Sequence, residues 1–565
     1  MEEIKKPLPI GVDDFEDIIS NGYYYVDKTL LIKELLDKKG KVTLFTRPRR
    51  FGKTLNLSML RYYFGNTGNQ ELNEAHRHLF DGLKITSAGK EYTDKMCAYP
   101  VIFLTLKSAK QKNFQIAYDC LREVIAREFR NHMEVTDSLK AKAKEKYFRI
   151  SEEKASDSEM ATALAFLSEC LYIHYNKKAV ILIDEYDVPL ENSYFSGFYD
   201  DMISFIRSLF ESALKTNIYL EFAVITGCLR ISRESIFTGL NHLDIISVLD
   251  SNYSEHFGFV PEEVEDMLEF YGLSEHMDVM RRWYDGYLFG NSEVYNPWSI
   301  IKYVKQLCAD EKAFPRPYWS NTSSNDIVRS LVERADEDTK DELEQLIAGG
   351  TIEKPVHEEI TYGDIYKSPD NLWNLLFFTG YLKKVSERIE GNKRYLELTI
   401  PNEEIRYIYD ESIVDWFKEE ISKKDFHDLY DMMDKGDAES MRDVIEDQLM
   451  STISFYDSAE SFYHGFMVGL LNQNKMYRVK SNRESGNGRG DIFIYTQNRR
   501  KRAYVLELKV SERMEHLEKD AEKALKQVVE KNYAAELKDT GFSDIVVYGI
   551  AFYRKNCEVR YGGKI

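Results

Sequence analysis

The chain has 565 residues, 43% of them hydrophobic and 30% charged, too many for one core and too apolar for a disordered polymer, so several folded domains are expected. A formal net charge of -19 excludes a protein that coats nucleic acid by bulk attraction, which requires Lys and Arg to neutralise phosphates. The six cysteines include no C-x-x-C pair, MEEIKKPLPIGVDDF lacks an apolar core, and eighteen consecutive apolar residues occur nowhere; a cytoplasmic protein is expected, without a zinc site, a disulfide framework or a membrane span.

From Lys41 onward, strand-length apolar runs alternate with helical patterns. The runs are VTLFT from Val42, VIFLTL from Val101, AVILID from Ala179 and LEFAVIT from Leu220. Between them lies LNLSMLRYYF, with Leu57, Leu60 and Phe64 at helical spacing and Gly65 as its stop. This rhythm predicts an α/β domain over residues 1–245, with a parallel sheet covered on both faces. Residues 246–430 read as a mostly helical connector. In VPEEVEDMLEFYG, Pro261 suits a first turn and Val264, Met267, Leu268 and Tyr271 form one stripe. The aromatic segments RRWYDGY and VYNPWS are read there as packing. Residues 431–565 predict a compact mixed α/β unit: a helix around FYHGFMVGLL, strands near MYRVKS, DIFIY and AYVLELKV, a helix from about Glu512 to Tyr533, and a strand DIVVYGIAF.

RPRRFGKT, Arg47 to Thr54, stands between a strand and a helix. In a phosphate-binding loop, backbone N–H groups at a helix N-terminus cradle phosphates, a Lys reaches the β and γ phosphates, and a hydroxyl binds Mg²⁺. Gly52, Lys53 and Thr54 fit those roles in order, while Arg49 and Arg50 add cationic arms for ATP. Arg47 stands where the usual pattern has its first Gly. AVILIDEYDVPL ends a strand with Asp184, suited to hold the Mg²⁺ shell, and Glu185, suited to activate water. LEFAVIT delivers Thr226 to the same edge as a γ-phosphate sensor, and Arg230 or Arg233 follows to stabilise charge.

KPLPIGVDDF, YYYVDKT, RPRRFGKT, LIDEYDVPL, TGCLRISRESIFTGLNHL, WYDGY and YNPWS in that order resemble the bacterial AAA-ATPase-like proteins, whose members often end in a PD-(D/E)XK nuclease-type domain. The resemblance spans nearly the whole chain. It implies a P-loop ATPase core, with Arg47 as the family's own departure from the Walker pattern, and a helical, winged-helix-like extension.

Near the end, GNGRGDIFIYTQNRRKRAYVLELKV contains Asp491, Glu507 and Lys509. A hairpin centred on Arg499 pairs residues whose numbers sum to 998, which sets Asp491 opposite Glu507 and Lys509 on the same face. Two facing carboxylates are costly without a cation between them, and hard oxygens suit Mg²⁺ or Mn²⁺. The group is similar to the PD-(D/E)XK core, with Glu460 as the acid carried on a helix and Gln527 as a further contact. The whole chain then reads as an ATP-binding and ATP-hydrolysing protein that regulates a metal-dependent nuclease site acting on DNA or RNA. The competing reading is a nucleotide-switched sensor or scaffold whose last domain binds nucleic acid or protein without cutting. Sequence leaves homo-oligomerisation open.

Overall fold

The computed structural model describes residues 5–229, 237, 242–319, 328–329, 331, 336–357, 368–422, 427–450, 460–472, 474, 476–485 and 488–565; the side chains of 337, 413–422, 427, 450, 460–462, 482–485, 488–490 and 536 lie outside the description. The chain divides into two compact units, Met1–Thr322 with Glu353–Arg406, and Ser323–Ile352 with Tyr407–Ile565. Among the described residues no helix is long and apolar enough to cross a membrane.

In the first unit, β1 (Val42–Thr46), β2 (Val101–Thr105), β3 (Ala179–Asp184), β4 (Leu220–Gly227) and β5 (Leu243–Ile246) form one sheet in the order β2-β3-β4-β1-β5. All four pairings are parallel. Every residue of β1 and β3 is buried, as expected where helices cover both faces and each strand buries side chains on both sides. Register then fixes chemistry: Thr105 stands opposite Asp184, Ile183 opposite Ile225, and Thr226 opposite Phe45. Asp184 and Thr46 therefore end their strands, and Thr226 stands one residue before the end of its own, along one carboxyl edge, where the helix Lys53–Phe64 begins.

Between this sheet and the C-terminal one, the chain is largely helical, including the helix Pro261–Tyr271 with Val264, Met267, Leu268 and Tyr271 buried as their spacing predicts. Strands also occur there: a hairpin of β6 (Tyr287–Phe289) and β7 (Ser292–Val294), and a sheet of β8 (Ile352–Pro355), β9 (Lys383–Glu390) and β10 (Lys393–Thr399) in the order β8-β10-β9.

In the second unit, β11 (Arg478–Ser485), β12 (Gly488–Tyr495), β13 (Ala503–Val510), β14 (Ile545–Tyr553) and β15 (Asn556–Lys564) follow one another across a sheet. β12 and β13 are antiparallel. β13 and β14 are parallel, and so need a crossover, supplied by the helix Leu517–Glu530. That helix buries Leu517, Ala521, Ala524 and Val528. Its small residues allow a close approach: a Cβ on Gly549 of β14 would lie 2.3 Å from the Ala521 carbonyl oxygen. Gly549 stands beside Glu507 in the ladder, so its missing side chain lets the helix settle over that carboxylate.

Candidate functional site

The phosphate-loop geometry is built by residues at the end of β1. Gly52 takes φ +82°, a conformation that costs a side chain strain, and immediately starts the helix with Lys53. The Lys53 ammonium donates to the Arg47 carbonyl at 2.9 Å and the Pro48 carbonyl at 2.8 Å. One residue on, Thr54 Oγ1 donates to Asp184 Oδ2 at 2.7 Å. The other Asp184 oxygen accepts from Thr226 Oγ1 at 2.5 Å. Lys53, Thr54, Asp184 and Thr226 thus converge from three strand ends. Asp184 is 1% exposed, a cost offset by the two hydroxyl donors.

Glu185 follows in a left-handed conformation, φ 52°, which turns the chain sharply off the strand. Burial and the neighbouring Asp184 raise its carboxyl above the usual range, against the opposing charges of Lys107 and Lys53. A carboxylate so placed is well suited to accept a proton from water.

The three arginines of the loop have different surroundings. Arg47 turns inward rather than joining a cationic arm: it is fully buried, donates to the Thr46 and Ile246 carbonyls, and lies over the rings of Phe257 and Phe289. Burial lowers its pKa to about 9. Arg49 pairs with Glu191 at 2.6 Å. Arg50, at φ 70°, stacks on Trp298 at 4.3 Å and donates to the Tyr318 carbonyl. Phe51 anchors the loop between Tyr287 and Phe289. Tyr287 of WYDGY and Trp298 of VYNPWS therefore pack against the phosphate loop, while Tyr284 and Tyr295 join the core beneath the helix Pro261–Tyr271. Arg230 and Arg233 lie outside the described residues.

In the second unit the ladder pairs Ile492 with Leu506, Phe493 with Val505 and Ile494 with Tyr504, each sum being 998. The Asp491 amide lies 3.4 Å from Glu507 Oε2, and Asp491 Oδ2 accepts the Leu508 amide at 2.8 Å. Glu507 is 2% exposed. Its Oε1 accepts from Gln527 Nε2 at 2.5 Å and lies 3.8 Å from Lys509 Nζ. Gln527 also donates to the Tyr533 hydroxyl at 3.1 Å. Glu460 opens the helix Glu460–Leu471, and its side chain lies outside the described residues. Among the described residues no three His, Cys, Asp or Glu side chains form a metal cluster. Asp491 and Glu507 are hard donors suited to Mg²⁺ or Mn²⁺, and a full shell requires further oxygens from water, substrate or another acid.

Several neighbours were absent from the sequence expectations. Asp187 accepts the amides of Cys228 and Leu229 at 2.7 and 3.1 Å, so it fixes the turn that follows Thr226. Its spacing in IDEYD was the available signal. Lys107 follows β2 at the edge where Asp184 ends β3, and could have been found by extending the rule that strand ends share one edge. In the C-terminal site His464 Nε2 lies 3.1 Å from the Asp491 carbonyl. His464 stands one helical turn after Glu460. Tyr533 reaches Gln527 through the helix end, and burial first, then Glu507 and Asp491, raises its phenol pKa.

Residues 9–237 match the family described as predicted AAA-ATPase, and residues 458–561 match the PD-(D/E)XK nuclease superfamily. The curated relative "Uncharacterized protein in vnfD 5'region" from Azotobacter chroococcum mcd 1 is 26% identical over 573 residues, covering 98% of this chain and 98% of its own. The chain is thus similar to the predicted AAA-ATPase family over residues 9–237 and to the PD-(D/E)XK nuclease superfamily over residues 458–561.

Proposed function

We propose that the first module binds and hydrolyses ATP, and that its nucleotide state regulates metal-dependent cleavage of DNA or RNA phosphodiesters by the last module. The division 1–245, 246–430 and 431–565 is part of this reading. The observation that carries it is the arrangement of Asp491 and Glu507 on one face of the β12–β13 hairpin, with Gln527 and Lys509 on the inner acid. That geometry, in a chain that also gathers Lys53, Thr54, Asp184 and Thr226, supports two phosphate chemistries.

In the ATPase, Gly52 lets the backbone approach the phosphates, Lys53 exchanges its loop carbonyls for phosphate oxygens, and Thr54 and Asp184 would hold Mg²⁺. Glu185 takes the proton of the attacking water, Thr226 senses the γ phosphate, and Arg49, Arg50 and Arg230 are kept as charge partners. In the nuclease, Asp491, Glu507 and Glu460 would hold Mg²⁺ or Mn²⁺, which would supply a Lewis acid to water and to the phosphodiester. Gln527 fixes the Glu507 carboxylate, and Lys509 orients water or offsets charge.

The test is cleavage of linear, circular and single-stranded DNA and of RNA, with Mg²⁺ or Mn²⁺, with and without ATP. Wild type should cut, Asp491→Ala should not, and Lys53→Ala should cut without responding to ATP. Absence of metal-dependent cleavage on every form would sink the nuclease reading.

A further inference from the structure

The groups that would meet a phosphate in the loop Arg47–Thr54 already have internal partners. Lys53 is held by two loop carbonyls and Thr54 by Asp184. Arg49 differs from these in being joined to a full counter-charge, Glu191, which lies on the helix Val188–Ser196 just beyond Asp184 and Glu185. The contact is a single Nη2–Oε2 approach of 2.6 Å, with side chains 31% and 26% exposed. An incoming anion can therefore reach it, and guanidinium donors match phosphate oxygens at least as well as one carboxylate oxygen.

We infer that Glu191 is an internal stand-in for nucleotide phosphate, a positioning residue that holds Arg49 until ATP or ADP displaces it. The inference rests on the nucleotide reading above and adds to it the residue that sets affinity by competition. In the free protein Glu191 occupies the cation. When a phosphate arrives, Arg49 exchanges one anion for another of greater charge, and the carboxylate is released beside the first turn of its helix. The fully charged partner is what makes this exchange costly, since Lys53 gives up only neutral carbonyls. Asp187 and Cys228 also lie near Arg49; Asp187 is anchored through its Oδ2 to the amides of Cys228 and Leu229, whereas Glu191 meets the Arg49 guanidinium directly.

The experiment is calorimetric titration of ATP, ADP and adenosine into the full chain with Mg²⁺, for wild type, Glu191→Gln, Arg49→Gln and the double variant. Glu191→Gln is expected to tighten ATP and ADP binding roughly three- to fivefold, the size of releasing a partly exposed ion pair, and to leave adenosine unchanged. Arg49→Gln should weaken ATP, and in its background Glu191→Gln should have no further effect. An unchanged or weaker ATP constant for Glu191→Gln, or a gain that persists without Arg49, overturns the inference while leaving nucleotide binding intact. A wild type that binds no nucleotide overturns the nucleotide reading and the inference together. Should Glu191→Gln not fold, Glu191→Asp, whose shorter reach loosens the pair, is expected to tighten ATP about twofold, and no change there is the contrary result.

Discussion

Arg47 stands where a phosphate loop usually begins with a small residue, and its side chain is spent on architecture: it bridges the ends of β1 and β5 through the Thr46 and Ile246 carbonyls. A guanidinium buried against two rings, with its pKa pulled down to about 9, contributes packing and costs desolvation. We predict that Arg47→Met, which keeps volume and drops charge, changes stability by under about 1.5 kcal/mol. Arg47→Ala, which leaves a cavity, should cost about 3 kcal/mol. Urea unfolding of the two variants checks the difference, and equal losses would mean that the charge itself is the stabilising part. Glu185 tests the opposite case, a residue to which the proposed ATPase reading assigns chemistry. Glu185→Gln should keep ATP binding and slow hydrolysis by about 10²- to 10⁴-fold, the usual contribution of a general base; a variant that hydrolyses at the wild-type rate would assign water activation elsewhere. The residues that sequence made legible, Lys53, Thr54, Asp184, Thr226, Asp491 and Glu507, are those whose placement follows from a strand end or a ladder register. Glu191, His464 and Tyr533 were hidden because each reaches its partner across tertiary space.

At the scale of elements, the C-terminal site depends on how closely one helix sits on one strand. Gly549 is flanked by the backbone of Ala521 and Leu525, whose atoms lie 2.3 and 2.5 Å from where a Cβ would be. Backbone has no rotamer to escape with, so Gly549→Ala must lift the helix Leu517–Glu530 and loosen Gln527 from Glu507. Cleavage should fall at least tenfold, with a stability loss of about 1–3 kcal/mol; unchanged cleavage would show that Gln527 does not position the acid. A second element-level contact is His132, at the end of the helix Phe114–Asn131. Burial alone would lower its pKa, but Glu128 and Glu134 outweigh that and raise it to about 9. Because the folded value exceeds the unfolded 6.5, its stabilisation is complete below about pH 6.5 and is lost as pH rises through about 9, by up to ~3 kcal/mol. Denaturation at pH 6 and pH 9.5 should show this loss in wild type and not in His132→Gln. The elements themselves were unevenly legible. VTLFT, VIFLTL, AVILID and LEFAVIT are continuous apolar runs and become β1 to β4. β9 is KKVSERIE, exposed from Val385 to Glu390, and carries too many charges for an alternating pattern to stand out. The remaining signal was its turn at Gly391 and Asn392, with Gly391 at φ 62°.

For the whole molecule, charge decides how nucleic acid can be held. At -19 overall, the surface repels phosphate at long range, so on the proposed nuclease reading attraction must come from a local group of cations near Asp491 and Glu507. The turn after β12 presents Arg499, Arg500 and Lys501 exposed, whereas Arg502 is tied to Asp434 and Asp544. Together with Lys509 at the site, this makes about four available cations, which predicts a slope of log affinity against log salt of about -3 to -4. The measurement is a salt titration of duplex binding by Asp491→Ala, the variant expected to hold substrate without consuming it. A slope near -10 would mean a broad electrostatic footprint incompatible with the overall charge. Strand spacing also puts the turn roughly 20 Å from Asp491, or about six nucleotides at ~3.4 Å each. Neutralising Arg499 and Arg500 should therefore weaken binding of oligonucleotides that span both places and leave shorter ones unaffected. If short and long substrates lose affinity equally, the turn acts through folding of the hairpin rather than by touching phosphate, and the cations that hold the substrate must be sought beside Lys509.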